Sequence, residues 1–133
     1  MDQFAAPFLI FTVDDESSLA ETTAQILHRE GFYCVPFSDP LDLIDHCAGT
    51  PPNLVISDII MPQMSGFDLA NRLRDTHPRC KILLFTGQAG VEDLREYALE
   101  LGHNIEVLSK PLHPLKLIER VKIISRDQLS NGQ

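Results

Sequence analysis

Four places in this chain put charged or hydroxyl side chains just beyond an apolar run. Asp14 and Asp15 follow Phe8-Leu9-Ile10-Phe11-Thr12-Val13. Asp58 comes at the end of the stretch opened by Leu54-Val55-Ile56. Thr86 and Gly87 follow Ile82-Leu83-Leu84-Phe85. Ser109, Lys110 and Pro111 follow Ile105-Glu106-Val107-Leu108. Brought together, three carboxylates would repel one another, each pair by about 1 kcal/mol in water and by several at a lower effective dielectric. A divalent cation removes that cost. Oxygen donors of this kind suit Mg²⁺, which typically takes one or two carboxylates together with phosphate oxygens. Lys110 would add positive charge for an incoming phosphate, and the Thr86 hydroxyl could donate a hydrogen bond to it. A nucleophile, a metal and positive donors around the equatorial oxygens are what phosphoryl transfer requires. A carboxylate can itself be the nucleophile, as an aspartyl phosphate. Taken singly, each piece is ordinary. An Asp-Asp pair makes turns and helix caps, here with Asp15 or Ser17 as the cap. Asp58 alone would be a turn former, Thr86 a β-former and Lys110 a surface lysine. The combination carries the argument.

Five apolar runs must position these groups: the four above and Phe32-Tyr33-Cys34-Val35. The first, third and fourth are continuously apolar, as in strands covered on both faces of a parallel sheet. The fifth alternates in part and suits an edge. Between the runs lie helical stripes. These are Leu19, Thr23, Ile26 and Leu27; Leu41, Leu43, Ile44 and Cys47; Phe67, Ala70 and Leu73; Leu94, Tyr97, Ala98 and Leu101; and Leu117, Ile118, Val121 and Ile124. Gly31 and Gly102 sit where left-handed helix ends are wanted, and Ser65 where an N-cap is. The order is β-α repeated five times, which predicts an α/β fold: a doubly wound, right-handed parallel sheet with helices on both faces. In such sheets ligands bind beyond the carboxyl ends of the strands, where four of the five runs deliver polar groups.

The chain has 133 residues, enough for one domain, with 44% hydrophobic and 23% charged residues. A core of that size needs no staples. We expect a domain over residues 1–125 and a polar, frayed tail over 126–133. The net charge of -8 disfavours binding to nucleic acid. No apolar run is long enough to cross a bilayer, and Met1-Asp2-Gln3-Phe4 lacks the basic start of a secretory signal. Cys34, Cys47 and Cys80 are too few and too scattered for a disulfide framework, which fits a reducing cytoplasm. His28, His46, His77, His103 and His113 show no zinc-ligand spacing, and His77 and His103 suit helix ends. Tyr97 reads as half-buried core, and Met61 and Met64, flanking a proline, could form a partner-contact patch or pack the loop. Gly87, Ala89 and Gly90 make an ordinary flexible turn or a mobile loop after Thr86.

Asp14-Asp15, Asp58 with Met61-Pro62-Gln63-Met64-Ser65-Gly66 behind it, Thr86-Gly87 and Lys110-Pro111, in this order, resemble the receiver domains of two-component response regulators. The likeness covers roughly residues 8 to 125. It implies a flavodoxin-like (β-α)5 fold with strand order 2-1-3-4-5. It implies that Asp58 accepts a phosphoryl group from a sensor histidine kinase or a histidine phosphotransfer protein, and that the domain then acts on a downstream effector. Asp15, Asp58 and the Ile60 carbonyl would hold Mg²⁺, with Asp14 acting partly through water. Lys110 would pair with the phosphate and Thr86 would swing to bond it. The Lys110-Pro111 bond would be cis. The domain would be a switch rather than an enzyme with turnover of its own, and could pair as a homodimer.

Two positions depart from the pattern. Val107 stands where such domains usually carry an aromatic switch residue, so output would run through backbone and packing shifts between Gly87 and Leu101 and in the fifth strand. Ile60 cannot orient an attacking water, whereas Gln88 could, which leaves the phosphoryl lifetime open. The rival readings are three. A haloacid-dehalogenase-type phosphatase needs Asp-x-Asp after strand one, where residue 16 is Glu. An FMN carrier needs a phosphate-cradling loop there, which Asp14-Asp15-Glu16 would repel. A receiver-like scaffold that works without phosphorylation is argued against by the intact acidic set.

Overall fold

The computed structural model describes residues 7–87, 91–102, 104–110 and 113–131. Strands β1 (Leu9–Val13), β2 (Tyr33–Phe37), β3 (Leu54–Asp58), β4 (Lys81–Thr86) and β5 (Ile105–Ser109) alternate with helices. These are α1 (Ser17–Arg29), α2 (Pro40–Gly49), α3 (Gly66–Thr76), α4 (Val91–Leu101) and α5 (Pro114–Asn131). All four strand pairings are parallel and the order is β2-β1-β3-β4-β5. This is the doubly wound sheet expected, with the reversal of winding at β1 and β3.

The continuous apolar runs are explained by two cores, one on each face. Phe11, Val13, Val55, Leu84 and Val107 pack with Leu43, Leu69, Leu73 and Ala98 of α2, α3 and α4. Ile10, Leu54, Ile56 and Leu83 pack with Ala24, Leu27, Leu117, Val121 and Ile124 of α1 and α5. Successive strand residues point to opposite faces, so a central strand must be apolar at nearly every position. β5 is an edge strand, and its alternation of buried and half-buried residues reflects that. β2 is the other edge, and Pro36 lies within it, where a missing N–H is tolerated.

Helix ends follow local chemistry. Ser65 and Asp68 form a reciprocal capping box at α3: Asp68 N donates to Ser65 Oγ at 3.1 Å and Ser65 N to Asp68 Oδ2 at 3.4 Å. Asp39 caps α2 by accepting from Leu41 N at 2.9 Å. Gly31, after α1, has φ 92°, where a side chain would be strained. Gly102, at φ 158°, is nearly extended instead of left-handed. His77 ends α3, and its ring meets the Cys47 carbonyl at 3.1 Å and Thr76 Oγ1 at 2.9 Å. Met61 is buried and Met64 packs on the same core, as loop packing requires. Tyr97 is more exposed than expected, at 44%, with its ring set edge-on to Phe67 at 4.8 Å between centroids.

Two expectations fail. Neither Asp15 nor Ser17 caps α1: the N-cap is Glu16, without a side-chain bond. Nor do residues 126–131 fray. α5 continues to Asn131, because Gln128 Nε2 donates to the carbonyls of Asn53 at 3.0 Å and Arg79 at 3.2 Å. Polarity alone could not reveal those two partners. His103, Gln88, Ala89, Gly90 and the Lys110-Pro111 bond lie outside the described residues.

The junction between β3 and α3 is tight. A methyl group on Gly66 would lie 2.6 Å from the Asp58 carbonyl oxygen and 2.9 Å from Leu84 Cδ2. Gly66→Ala should therefore destabilise the fold by roughly 1–3 kcal/mol, measured by urea unfolding followed by far-UV circular dichroism. Burial pushes the thiols of Cys34 and Cys80 up to about 12 and that of Cys47 to about 11. All three are buried and unpaired with one another. A thiol reagent at pH 8 should leave them unmodified in the folded protein and titrate all three in denaturant.

Candidate functional site

Because β1 and β3 are neighbours, Val13 stands opposite Ser57, and the residues that follow, Asp14-Asp15 and Asp58, leave the sheet side by side. β4 pairs with β3 on one side and β5 on the other, with Thr86 opposite Ser109. The Lys110 amide donates to the Thr86 carbonyl at 2.7 Å, which ties the lysine's backbone to the end of β4. Four strands thus deliver their polar ends to one place. The second, β2, delivers none of these groups.

Each of Asp14, Asp15 and Asp58 places a carboxylate oxygen within 4.8 Å of the others'. Lys110 Nζ lies 3.4 Å from Asp58 Oδ2 and 3.9 Å from Asp14 Oδ2. The side chains of Asp14 and Asp58 are only 13% and 17% exposed, whereas Asp15 is open to solvent. Asp14 Oδ1 also accepts from Glu16 N at 3.0 Å, which shapes the turn into α1. The Asp14 carboxyl is held above its ordinary value of 3.8, first by burial. The Glu16 amide and Lys110 pull it back down, and the charges of Asp58 and Asp15 push it up again. One ammonium thus faces three carboxylates.

A magnesium ion fits this donor set. Oxygens bound to one Mg²⁺ at about 2.1 Å stand about 3–4 Å apart, within the spread of the cluster. Ile60 lies two residues past Asp58 in the turn to α3, with its side chain exposed. Thr86 is 2% exposed at the end of β4. Among the described residues no other group of three or more potential metal ligands converges. Val107 is buried against α4, and Arg95 Nε of α4 donates to its carbonyl at 3.2 Å. No aromatic ring exists there to flip.

The sequence reading missed a groove of about 620 Å³ that runs from Asp14, Asp58 and Lys110 down between α1 and α5. Leu19, Ile26, Phe85 and Leu117 line it. Of the α1 stripe, Leu19 is 44% exposed and Ile26 only partly buried. A helical stripe marks a face that is apolar, and says nothing about whether a neighbour reaches far enough to cover it.

The family model "Response regulator receiver domain" matches residues 10–122. The transcriptional regulatory protein CreB of Escherichia coli is 31% identical over 117 residues, covering 88% of this chain and 50% of that protein. The response regulator receiver protein CpdR of Brucella abortus is 26% identical over 113 residues, covering 85% of this chain and 92% of its own length. In space, a CheY-like response regulator receiver domain protein from Methanospirillum hungatei superposes with a TM-score of 0.85 at 27% identity. That match covers 96% of this chain and 100% of the other. The chain spans about half the length of several curated relatives it matches.

The raised Asp14 pKa has a definite sign. The folded state holds the proton more tightly than the unfolded chain does, so stability falls as pH rises from 3.8 through the folded pKa. Without metal, Asp14→Asn should therefore melt higher than wild type at pH 7 and lose that advantage below pH 3.8. With Mg²⁺ the order should narrow or reverse. A ligand at a hundred times its Kd adds about 2.7 kcal/mol, and the variant should gain less of this. Thermal melts with and without Mg²⁺ across pH check both statements.

Proposed function

Since this chain belongs to the response regulator receiver domain family of two-component signalling, we propose that Asp58 is its phosphoacceptor and that the cluster around it performs the transfer. The observation that carries this is the convergence of Asp14, Asp15 and Asp58 with Lys110 at one end of the sheet. A carboxylate oxygen of Asp58 attacks phosphorus, the bond from phosphorus to the donor's imidazole nitrogen breaks, and the imidazole leaves. The donor is a phosphohistidine on a sensor histidine kinase or a phosphotransfer protein.

Asp15, Asp58 and the Ile60 carbonyl would hold Mg²⁺, with Asp14 joining partly through water. When bound, the ion neutralises charge on the phosphoryl oxygens and relieves the repulsion among the carboxylates. Lys110 keeps a positive charge beside Asp58 before transfer and beside the phosphoryl group after it. The Thr86 hydroxyl, at the end of the adjacent strand, provides a donor for a phosphoryl oxygen once it turns toward the site. Such fixed donors are the larger part of the catalysis available here. The groove between α1 and α5 offers an apolar wall next to Asp58, suited to a partner helix that presents the donor.

The domain works as a switch, phosphorylated and dephosphorylated on itself, and controls an effector in another protein or in another part of a longer chain. Phosphatase chemistry on an Asp-x-Asp after β1 is not supported, since Glu16 occupies the third position. No helix among the described residues is long and apolar enough to cross a membrane, and we place the domain's work in the cytoplasm, beside the kinase's catalytic part.

Intact-mass analysis after mixing with Mg²⁺ and a small phosphodonor such as an acyl phosphate tests the reading. The wild type should gain one phosphoryl group and Asp58→Asn none. Lys110→Ala should slow the gain by about tenfold or more. Absence of an adduct on the wild type, with kinase as well as with small donor, would favour a scaffold that binds partners without phosphorylation.

A further inference from the structure

The sheet holds the backbone of Asp58 on one side only: it pairs with Phe85 of β4 and has no partner on β1. β1 pairs with β3 up to Val13 and Ser57 and no further. The Ile59 amide still reaches the Phe85 carbonyl on β4, at 3.0 Å. Alternation along a strand then turns the Asp58 carbonyl toward the β1 side, where the ladder has ended. A carbonyl without a donor in so enclosed a place is costly and prone to rotate.

Ser57 supplies the donor. Its side chain is 0% exposed, one of three buried polar residues among those described, and its Oγ donates to the Asp58 carbonyl at 2.8 Å. Met61 Sδ, at 3.9 Å, is a distant second acceptor for the one hydroxyl proton. From the other direction Gly66 closes on the same carbonyl oxygen, where a methyl would come within 2.6 Å. The Gly66 amide bonds the Ile59 carbonyl at 2.8 Å, so the segment from Asp58 to α3 is held at both ends.

We propose that Ser57 is a positioning residue for the phosphoacceptor: its hydroxyl fixes the peptide that follows Asp58. That peptide sets where the Asp58 carboxylate points and how the chain runs on to Ile60. The apolar surroundings of Ser57 make a hydroxyl there expensive, since Val13 and Leu84 lie opposite it on the flanking strands and Met61 packs nearby. A residue serving only the core would be apolar. The inference rests on the reading of Asp58 given above.

The test compares wild type with Ser57→Ala and Ser57→Thr, each shown by circular dichroism to be folded and assayed well below its melting temperature. Mg²⁺ affinity is measured by calorimetry, and the phosphorylation rate by intact mass at limiting and saturating Mg²⁺. Ser57→Ala should bind Mg²⁺ about fivefold more weakly, the worth of one neutral hydrogen bond, with slower phosphorylation at limiting Mg²⁺. Ser57→Thr keeps the hydroxyl and should keep wild-type Mg²⁺ affinity even where its added methyl lowers the melting temperature. Wild-type affinity and rate in Ser57→Ala, or an alanine-like loss in Ser57→Thr, overturns the proposal. A wild type that neither binds Mg²⁺ nor takes phosphate would instead overturn the assignment of Asp58.

Discussion

Like charges held close together are the central constraint on this molecule. Asp14, Asp15 and Asp58 occupy one end of a sheet whose two faces are sealed by apolar packing. Nothing in the cluster attracts its members to each other. The strands bring them together, and the burial of Ile10, Val13, Val55, Ile56 and Leu84 against the helices supplies the free energy that holds them there. Burial is the first cause of the upward shift of Asp14, and the charges of Asp58 and Asp15 add to it. Lys110 offsets part of it from β5, and a bound cation would offset more.

Strand order decides whether this arrangement exists at all. With β1 beside β3, the acidic pair and Asp58 emerge together. With β4 and β5 on the far side of β3, the hydroxyl and the ammonium arrive from the opposite flank. Moving β2 inward would separate the carboxylates by a strand's width. β2 lies at the edge, contributes no group to the site, and carries the proline that an inner strand would reject.

Position 107 on β5 holds a valine, with no aromatic ring to flip. Val107 fills its place in the core, and β5 is tied to α4 through the Arg95 bond to its carbonyl. The Phe67 and Tyr97 rings join α3 to α4. β4, which ends at Thr86, pairs with β5, so the end of that strand is continuous with packed elements.

The β-α alternation, the five strands and the candidate residues Asp14, Asp15, Asp58, Thr86 and Lys110 were legible in the linear chain. Continuous apolar runs mean two-sided burial, and polar residues ending such runs mean a ligand edge. The caps at Ser65 and Gly31 were legible for the same reason, being local chemistry. What lay beyond the sequence depended on partners distant along the chain. Gln128 looked like part of a polar tail until Asn53 and Arg79 stood beside it. The stripe on α1 marks an apolar face, and only the fold shows the groove before α5 that leaves Leu19 uncovered. Ser57 drew no attention in the linear chain, and its hydrogen bond to the Asp58 carbonyl beside the end of the β1 ladder is seen only in the fold. Residue types and their period set which face is apolar and which end is charged, because those follow from the geometry of one strand or one helix. How completely a neighbour covers a face, and which carbonyl is left without a donor, are settled only when separate segments meet.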